Sequence, residues 1–188
     1  MASSQLDKLF SDLLATQQQS TNSLPPVHLW NPPLSGDIDI VIDREGRWIH
    51  EGQEIKRAAL VKLFASILVR EGEEYFLLTP VEKWRIKVAV APLFVIAASR
   101  ECRDGQQAIV LTTSTDDTVV VNKTHPLSVE KDFDQPLPLV IVRNNLPALI
   151  GRNVYYQLID WAFEETDKQI DKLYITSMGE RFLLGSGV

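Results

Sequence analysis

The sequence GDIDIVIDREGRWIHEG, residues 36–52, contains the pattern that decides the fold of this chain. Three isoleucines occupy every second position of 37–42, with aspartates or valine between them, which predicts a strand with one buried face. The polar residues 43–46 predict a tight turn, in which Gly46 suits a positive φ. The residues 47–52 then predict the returning strand, so this stretch is interpreted as a β-hairpin.

Outward from the hairpin, the apolar spacing predicts amphipathic helices over 4–16, 57–70 and 152–165. Short apolar runs separated by Pro, Gly and Asp turn signals predict strands in the rest of the chain. These strands are predicted at 75–79, 84–90, 93–100, 106–113, 118–122, 127–130, 139–143, 148–150, 173–176 and 181–184. Because helices and strands do not alternate regularly, the sequence predicts an α+β fold with mainly antiparallel sheet.

The chain of 188 residues is expected to form two small subdomains after an N-terminal segment. Residues 1–24 are predicted to be an amphipathic helix and linker, 25–80 a first α+β subdomain, and 81–188 a strand-rich second subdomain with a C-terminal helix. The order strand, turn, strand, helix, strand is visible in 38–78 and again in 139–184, which suggests a duplicated core.

This internal repeat places Arg57 and Arg152 at equivalent helix starts. A cation is unusual at that position, because the N-terminus of a helix already carries a positive partial charge. Either the two arginines mark an anion site, or each of them pairs with a nearby carboxylate.

Composition excludes several classes of protein. Nineteen Lys and Arg against 25 Asp and Glu give a net charge of −6, which argues against non-specific binding to nucleic acid. The single cysteine, Cys102, permits neither an internal disulfide nor a cysteine-based zinc site, and it favours a reducing compartment. The longest apolar run, 88–99, is too short to cross a bilayer. With no secretory leader visible at the start, we expect a cytoplasmic protein that does not bind membranes.

The motif search gives no catalytic signature. The sequence has no HExxH, nucleophile elbow, P-loop or strand–turn–helix GxGxxG, so neither a metal nor another cofactor is predicted. Asp37 and Asp39 share one strand face and are either an acid–base or cation-binding pair or simply a solvated surface. His125, in a polar loop, is a candidate general base by its expected exposure, although a loop histidine without a partner is more often incidental.

The densest polar and aromatic cluster is TPVEKW at 79–84, which joins two predicted strands. Loops on a rigid scaffold often carry binding groups. Trp84 and Trp30 suit stacking on a planar ring, while Lys83, Arg85 or Arg143 suits a negative group. The alternative is that both tryptophans fill the core.

Several short polar and aromatic blocks occur in a fixed order. They are WNPP (30–33), GDID (36–39), GRW (46–48), TPVEKW (79–84) and HPL (125–127), followed by Arg143 ahead of the helix that begins at Arg152. In their order and spacing these blocks resemble the bacterial family known as domain of unknown function 1285, over about residues 25–185.

The resemblance implies two subdomains with a duplicated core, the second similar to pleckstrin-homology-like barrels with a packed helix. It also implies no assigned enzymatic activity, a ligand site at the subdomain interface for a nucleotide-like molecule, and a role in bacterial signalling. These implications agree with the internal repeat and with a boundary near residue 80.

We therefore expect a non-enzymatic module that binds a nucleotide-like small molecule between its subdomains. In this hypothesis Trp84 stacks on the ligand, arginines meet its anionic group, and carboxylates accept hydrogen bonds from hydroxyls or a base. The candidate residues are Trp30, Asp37, Asp39, Arg57, Thr79, Glu82, Lys83, Trp84, His125, Arg143 and Arg152. The alternatives are a hydrolytic enzyme that uses His125 or the Asp37/Asp39 pair, and a protein-interaction module.

Overall fold

The computed structural model describes residues 24–132, 135–165 and 172–186. The helix predicted over 4–16 and nearly all of its linker lie outside these residues. By its contacts the described chain forms two units, the first made of 24–43 and Arg47–Ala89, the second of Arg44–Gly46 and the residues from Val90 onward. The boundary expected near residue 80 therefore lies close to residue 90, because Lys83–Val88 pairs into the first sheet.

The first unit is a six-stranded sheet with one α-helix and a short 3-10 helix. In chain order its elements are the 3-10 helix Val27–Leu29, β1 (Leu34–Ile42), β2 (Trp48–His50), β3 (Gln53–Glu54), α1 (Ala58–Ser66), β4 (Leu68–Glu71), β5 (Glu74–Leu78) and β6 (Lys83–Val88). The strand order is β3-β2-β1-β6-β5-β4, and β1 and β6 are the parallel pair. The predicted hairpin is confirmed as β1 and β2.

The alternation in β1 sorts its side chains as the sequence predicts. Ile38, Ile40 and Ile42 are buried, whereas the aspartates between them are exposed. On the buried side the rings of Trp48 and Phe64 stack with their centroids 6.2 Å apart, so α1 packs on this face of the sheet. Apolar burial of this kind supplies most of the stability of a domain.

The helix predicted over 57–70 is shorter than expected, and its last part is a strand. α1 ends at Ser66, and Leu68–Glu71 forms β4, which pairs with β5 across a turn where Gly72 has φ +60°. Ile67 and Leu68 are fully buried, and consecutive apolar residues fit a helix stripe and a covered strand equally well. Gly72 follows the predicted helix in the sequence, and in the structure it serves this hairpin turn.

The second unit contains another six-stranded sheet, an α-helix and a separate hairpin. Its elements are β7 (Leu93–Arg103), β8 (Gln106–Thr113), β9 (Thr118–Val120), β10 (Leu127–Asp132), β11 (Gln135–Arg143), β12 (Leu146–Ile150), α2 (Arg152–Glu164), β13 (Lys172–Ser177) and β14 (Glu180–Ser186). The strand order is β10-β11-β12-β7-β8-β9, and β12 and β7 are the parallel pair.

The β13–β14 hairpin contacts both halves of the second sheet, since β13 contacts β8 and β14 contacts the edge strand β10. Buried Ser177 joins the hairpin to the sheet. Its hydroxyl accepts a hydrogen bond from the Ile109 N–H (2.9 Å) and donates one to the Val121 carbonyl (2.6 Å). Ile109 of β8 and Val121 lie where the short strand β9 ends. The serine therefore satisfies two backbone groups that the pairing of β8 with β9 leaves unpaired.

The two sheets have the same topology, which confirms the duplicated core. In each, three antiparallel strands are followed by three more, and the first strand pairs in parallel with the sixth. The repeat differs from the one read in the sequence, because α1 lies between the third and fourth strands, whereas α2 follows the sixth. Arg57 and Arg152 are therefore not at equivalent positions.

Across the parts of the chain that the structure describes, every helix is too short or too polar to cross a membrane.

Candidate functional site

One of the candidate residues on β1, Asp37, belongs to a surface ion-pair network. Asp37 and Asp39 are both exposed. Arg85 on the neighbouring strand β6 donates from Nη1 to Asp37 Oδ1 (2.9 Å), and its Nε lies 2.8 Å from Glu74 Oε1. Asp37 thus shares a guanidinium with a second acid of the same sheet. This arrangement favours a structural surface network over an acid–base pair.

The 79–84 turn is held together by its own threonine. Buried Thr79 accepts hydrogen bonds at Oγ1 from the N–H groups of Val81 (3.3 Å) and Glu82 (2.9 Å). Glu82 in turn accepts a hydrogen bond at Oε2 from Trp84 Nε1 (3.2 Å), which orients the half-buried indole. The turn is therefore rigid, and Thr79 acts inside it rather than toward a ligand.

Lys83 pairs with Glu71 of β4, and its ammonium lies 4.4 Å from the centroid of the Phe76 ring. The ion-pair partner of Lys83 is thus Glu71 of another strand rather than the adjacent Glu82. The remaining first-unit candidates lie at element ends. Half-buried Trp30 follows the 3-10 helix, and exposed Arg57 precedes α1.

In the second unit, His125 and Arg143 stabilise connections between strands. His125 is half-buried, with Nδ1 3.0 Å from the Ile141 carbonyl oxygen. Arg143 donates from Nε to Asp117 Oδ1 (2.7 Å), and the side chains of this pair are only 14% and 12% exposed. Asp117 Oδ2 also accepts a hydrogen bond from the Thr115 hydroxyl (2.9 Å). Arg143 thus anchors a polar turn.

The second unit also contains a cleft of about 690 Å³. Turn residues, one end of the sheet and the start of α2 form its walls. The lining residues are Arg44, Glu45, Phe94, Gln135, Pro136, Leu137, Pro138, Leu149, Ile150, Gly151, Arg152, Tyr155 and Tyr156. Among the predicted site residues, Arg152 is the one that lines this cleft.

Two glycines allow the walls of the cleft to approach closely. A Cβ atom on Gly151 would lie 2.9 Å from the Val95 carbonyl oxygen, to which the Gly151 N–H donates (3.1 Å). A Cβ atom on Gly46, which has φ +76°, would lie 2.5 Å from Phe94 Cβ. Real Cβ contacts do not reach such distances, so glycine is required at both positions.

The start of α2 gives the cleft a positive wall. Gly151 is the N-cap, no side chain caps the helix, and its first turn contains no acidic residue. Exposed Arg152 makes no hydrogen bond or ion pair with any residue that the structure describes. The helix N-terminus and an available guanidinium therefore act together on the same side of the cleft.

Tyrosines complete the wall beside the helix start. The Tyr155 hydroxyl donates to the Leu184 carbonyl, and burial, with Tyr156 as a smaller cause, raises the pKa of this phenol. Tyr155 therefore remains protonated at neutral pH and supports the wall. The Tyr156 ring is exposed and lies 6.4 Å from that of Tyr155.

Sequence reasoning missed Arg44 and Tyr156. Arg44 is one of several charged residues in a predicted turn, and Tyr156 lies on the polar side of a predicted helix. Neither residue therefore has a sequence pattern that marks it as part of a site. Within the described ranges there is no group of three or more His, Cys, Asp or Glu side chains that could hold a metal ion.

Fold and cleft together define a two-unit protein with a duplicated sheet topology and a small-molecule-sized cavity. Residues 25–91 match the N-terminal domain of the family called domain of unknown function (DUF1285), and residues 92–184 match its C-terminal domain. The chain therefore belongs to the DUF1285 family, as its sequence blocks predict.

Two solved structures of this family are similar to the chain. A DUF1285 family protein from Silicibacter pomeroyi DSS-3 is 37% identical, with a TM-score of 0.81 over 93% of this chain and 94% of that one. A DUF1285 family protein from Shewanella baltica OS155 is 28% identical, with a TM-score of 0.52 over 65% of this chain and 91% of that one. No curated protein matches the sequence.

Proposed function

We propose that this protein is a ligand-binding module and that the cleft of the second unit holds an anionic, nucleotide-like small molecule. The observation that carries this proposal is Arg152, an exposed guanidinium on the cleft wall without a partner among the described residues. A guanidinium binds phosphate or carboxylate oxygens through two parallel hydrogen bonds, which gives both affinity and orientation.

The charges around the cleft favour an anion. Arg44 and Arg152 stand against one acid, Glu45, and the N-terminus of α2 adds its positive partial charge. This local balance is opposite in sign to the net charge of the chain, −6. An anionic group is therefore attracted to this cleft more than to the protein surface on average.

The size and the opposite wall of the cleft favour a ligand with an apolar or planar part. Small-molecule sites usually enclose about 300–1,000 Å³, and this cleft encloses about 690 Å³. Phe94, Pro136, Leu137 and Leu149 supply apolar surface. A nucleotide combines a charged group with a flat ring, which is the chemistry that these two walls accept.

The other predicted site residues support this function less well. Arg143 is bound to Asp117, Lys83 to Glu71, and Asp37 to Arg85, so a ligand would have to compete for each of them. The signalling role expected from the family resemblance stays a prediction.

We also propose that the second unit is a pleckstrin-homology-like barrel, as the resemblance implies. The support is the β13–β14 hairpin, which contacts β8 in one half of the sheet and the edge strand β10 in the other half. A helix that follows the last strand of the sheet agrees with this class.

The test is a thermal-shift screen of the full chain against nucleotides and related anions, followed by calorimetry on any compound that binds. A ligand at 100 times its dissociation constant stabilises the folded state by about 2.7 kcal/mol, which raises the melting temperature by roughly 5–11 °C. In Arg152→Ala the affinity should fall by about tenfold or more, because a charge-assisted hydrogen bond is lost.

Lys131→Ala is the matched control, since Lys131 is an exposed cation of the same unit that does not line the cleft. It should leave the affinity unchanged. An equal loss of affinity in both variants would mean that the ligand responds to net charge alone. A panel without any binder would remove the proposal.

A further inference from the structure

The side of α2 opposite its buried residues carries two exposed aromatic rings among charged side chains. Its inward side chains are buried, namely Val154, Tyr155, Leu158 and Ala162. On the opposite side Tyr156 and Phe163 are 55% and 61% exposed, and Arg152 and Asp160 flank Tyr156. Because positions three, four and seven apart share one helix face, these four residues form a continuous surface, here called the α2 outer face.

The charges on the α2 outer face are arranged symmetrically about Tyr156. Arg152 lies four residues before the tyrosine and Asp160 four residues after it, so each charge is about 6 Å from it along the helix axis. Both charged side chains are exposed, and neither makes a hydrogen bond or ion pair with any residue inside the described ranges. The surface therefore offers one cation and one anion of its own to a partner.

We propose that the α2 outer face binds the same face of a second copy of this chain. In an antiparallel helix pair with its two-fold axis at Tyr156, the residue four before the tyrosine faces the residue four after it. Arg152 of each copy then meets Asp160 of the other, which gives two identical ion pairs on either side of an aromatic contact. Such self-complementarity is what a two-fold interface requires.

The charge pattern selects this arrangement over the parallel one. A parallel pair would place Arg152 against Arg152 and Asp160 against Asp160, and like charges in contact are repulsive. The two tyrosines stack or pack edge to face at the axis, and Phe163 extends the apolar surface along the helix. The charges thus specify the antiparallel dimer.

The dimer should be weak and dependent on concentration. Standard protein interfaces bury about 800 Å² on each partner, and one face of a 13-residue helix supplies less than that. A dissociation constant in the micromolar range is expected. The proposal does not depend on the ligand, although Arg152 also lines the cleft, so an anion bound there should compete with Asp160 of the second copy.

Sedimentation analysis of the full chain, from low micromolar to sub-millimolar concentration, tests the dimer. The wild-type protein should pass from monomer to dimer over this range. Asp160→Arg and Arg152→Asp should each weaken association by about tenfold or more, because each replaces two attractions with two repulsions. The double variant Arg152→Asp/Asp160→Arg should restore association to near the wild-type level, since the ion pairs reappear with exchanged signs.

Lys131→Glu is the control, a charge reversal on β10, which is not part of the α2 outer face, and it should leave association unchanged. The melting temperature of each variant at low concentration shows that the monomer is folded. A wild-type chain that stays monomeric throughout would overturn the proposal. A double variant no better than the single variants would overturn the antiparallel register.

These variants also separate the dimer from the proposed ligand site. Asp160→Arg keeps the cation of the cleft, so it should bind the anionic ligand while it fails to dimerise. The double variant should dimerise but lose the ligand. A protein that binds the anionic ligand but does not dimerise therefore contradicts only the dimer proposal. A protein that dimerises but binds no ligand contradicts only the ligand proposal.

Discussion

The two sheets of this protein share one strand order, but their helices occupy different places. In the first unit α1 is inserted between the third and fourth strands and stacks Phe64 on Trp48. In the second unit α2 follows the sixth strand and begins at the wall of a cleft. The same topology thus supports a covered core in one unit and an open cavity in the other.

The comparison teaches that the same sheet topology accepts its helix at two different positions, and that the helix of the second unit begins at the wall of the cleft. The polar residues along the first sheet pair with one another, as Arg85 does with Asp37 and Glu74. At the start of α2, by contrast, Arg152 faces the cleft without a described partner. Charges on a sheet are neutralised by their neighbours, whereas a helix N-terminus has a positive end of its own.

The largest expected effect compares an aromatic residue of each helix. Phe64 on α1 is fully buried, so Phe64→Ala should lower the free energy of unfolding by about 3–5 kcal/mol, through lost burial and the cavity that remains. Phe163 on α2 is exposed, and Phe163→Ala should change it by less than about 0.5 kcal/mol. Urea unfolding of both variants at low protein concentration measures the difference. Similar losses in the two variants would show that Phe163 is covered in solution.

A smaller effect compares two turns that join the first and second strands of their sheets. Gly46 and Gly105 both have positive φ, +76° and +75°, but only at Gly46 would a Cβ atom meet Phe94. Gly105→Ala should therefore cost about 1–2 kcal/mol for the left-handed backbone alone. Gly46→Ala should cost about 1–3 kcal/mol more, because the added atom overpacks the site.

Thermal unfolding of the two glycine variants checks this comparison. Equal destabilisation would mean that the backbone conformation accounts for both losses and that Phe94 moves away without cost. A larger loss at Gly46 would show that the turn is packed as tightly as its distances indicate.

Much of the fold could be predicted from the sequence, because the strands alternate clearly. The strand predicted at 106–113 has the same bounds as β8, and the helix predicted over 152–165 differs from α2 by one residue. The strand β4 could not be predicted, because Ile67 and Leu68 extend the apolar stripe of α1. Pairing with β5, a contact outside the local pattern, decides its structure.

The repeat and the cleft could be predicted only in part. A repeat was expected from a local order of elements, but its register depends on which strands pair in parallel, and that is a long-range contact. Arg152 was a candidate because a cation is unusual at a helix start. Arg44 could not be predicted as a cleft residue, because its place there depends on how the turn at Gly46 packs beside Phe94.

The smallest expected effect separates a buried ion pair from an exposed one. Arg143 and Asp117 in the second unit are 14% and 12% exposed, whereas Arg85 and Asp37 in the first are 36% and 73% exposed. Arg143→Ala leaves a largely buried carboxylate without its cation, so it should destabilise the protein by about 2–3 kcal/mol. Asp37→Ala should cost no more than about 1 kcal/mol, since surface pairs are screened by water.

High salt sharpens this last comparison, because it screens exposed charges more than buried ones. The difference between wild type and Asp37→Ala should vanish as salt is added, while the loss in Arg143→Ala should persist. If Arg143→Ala instead kept its stability and lost affinity for an anionic ligand, this arginine would be a binding residue, as the sequence pattern first suggested. The stability and the ligand affinity of that one variant therefore decide whether Arg143 marks an anion site or the framework of a turn.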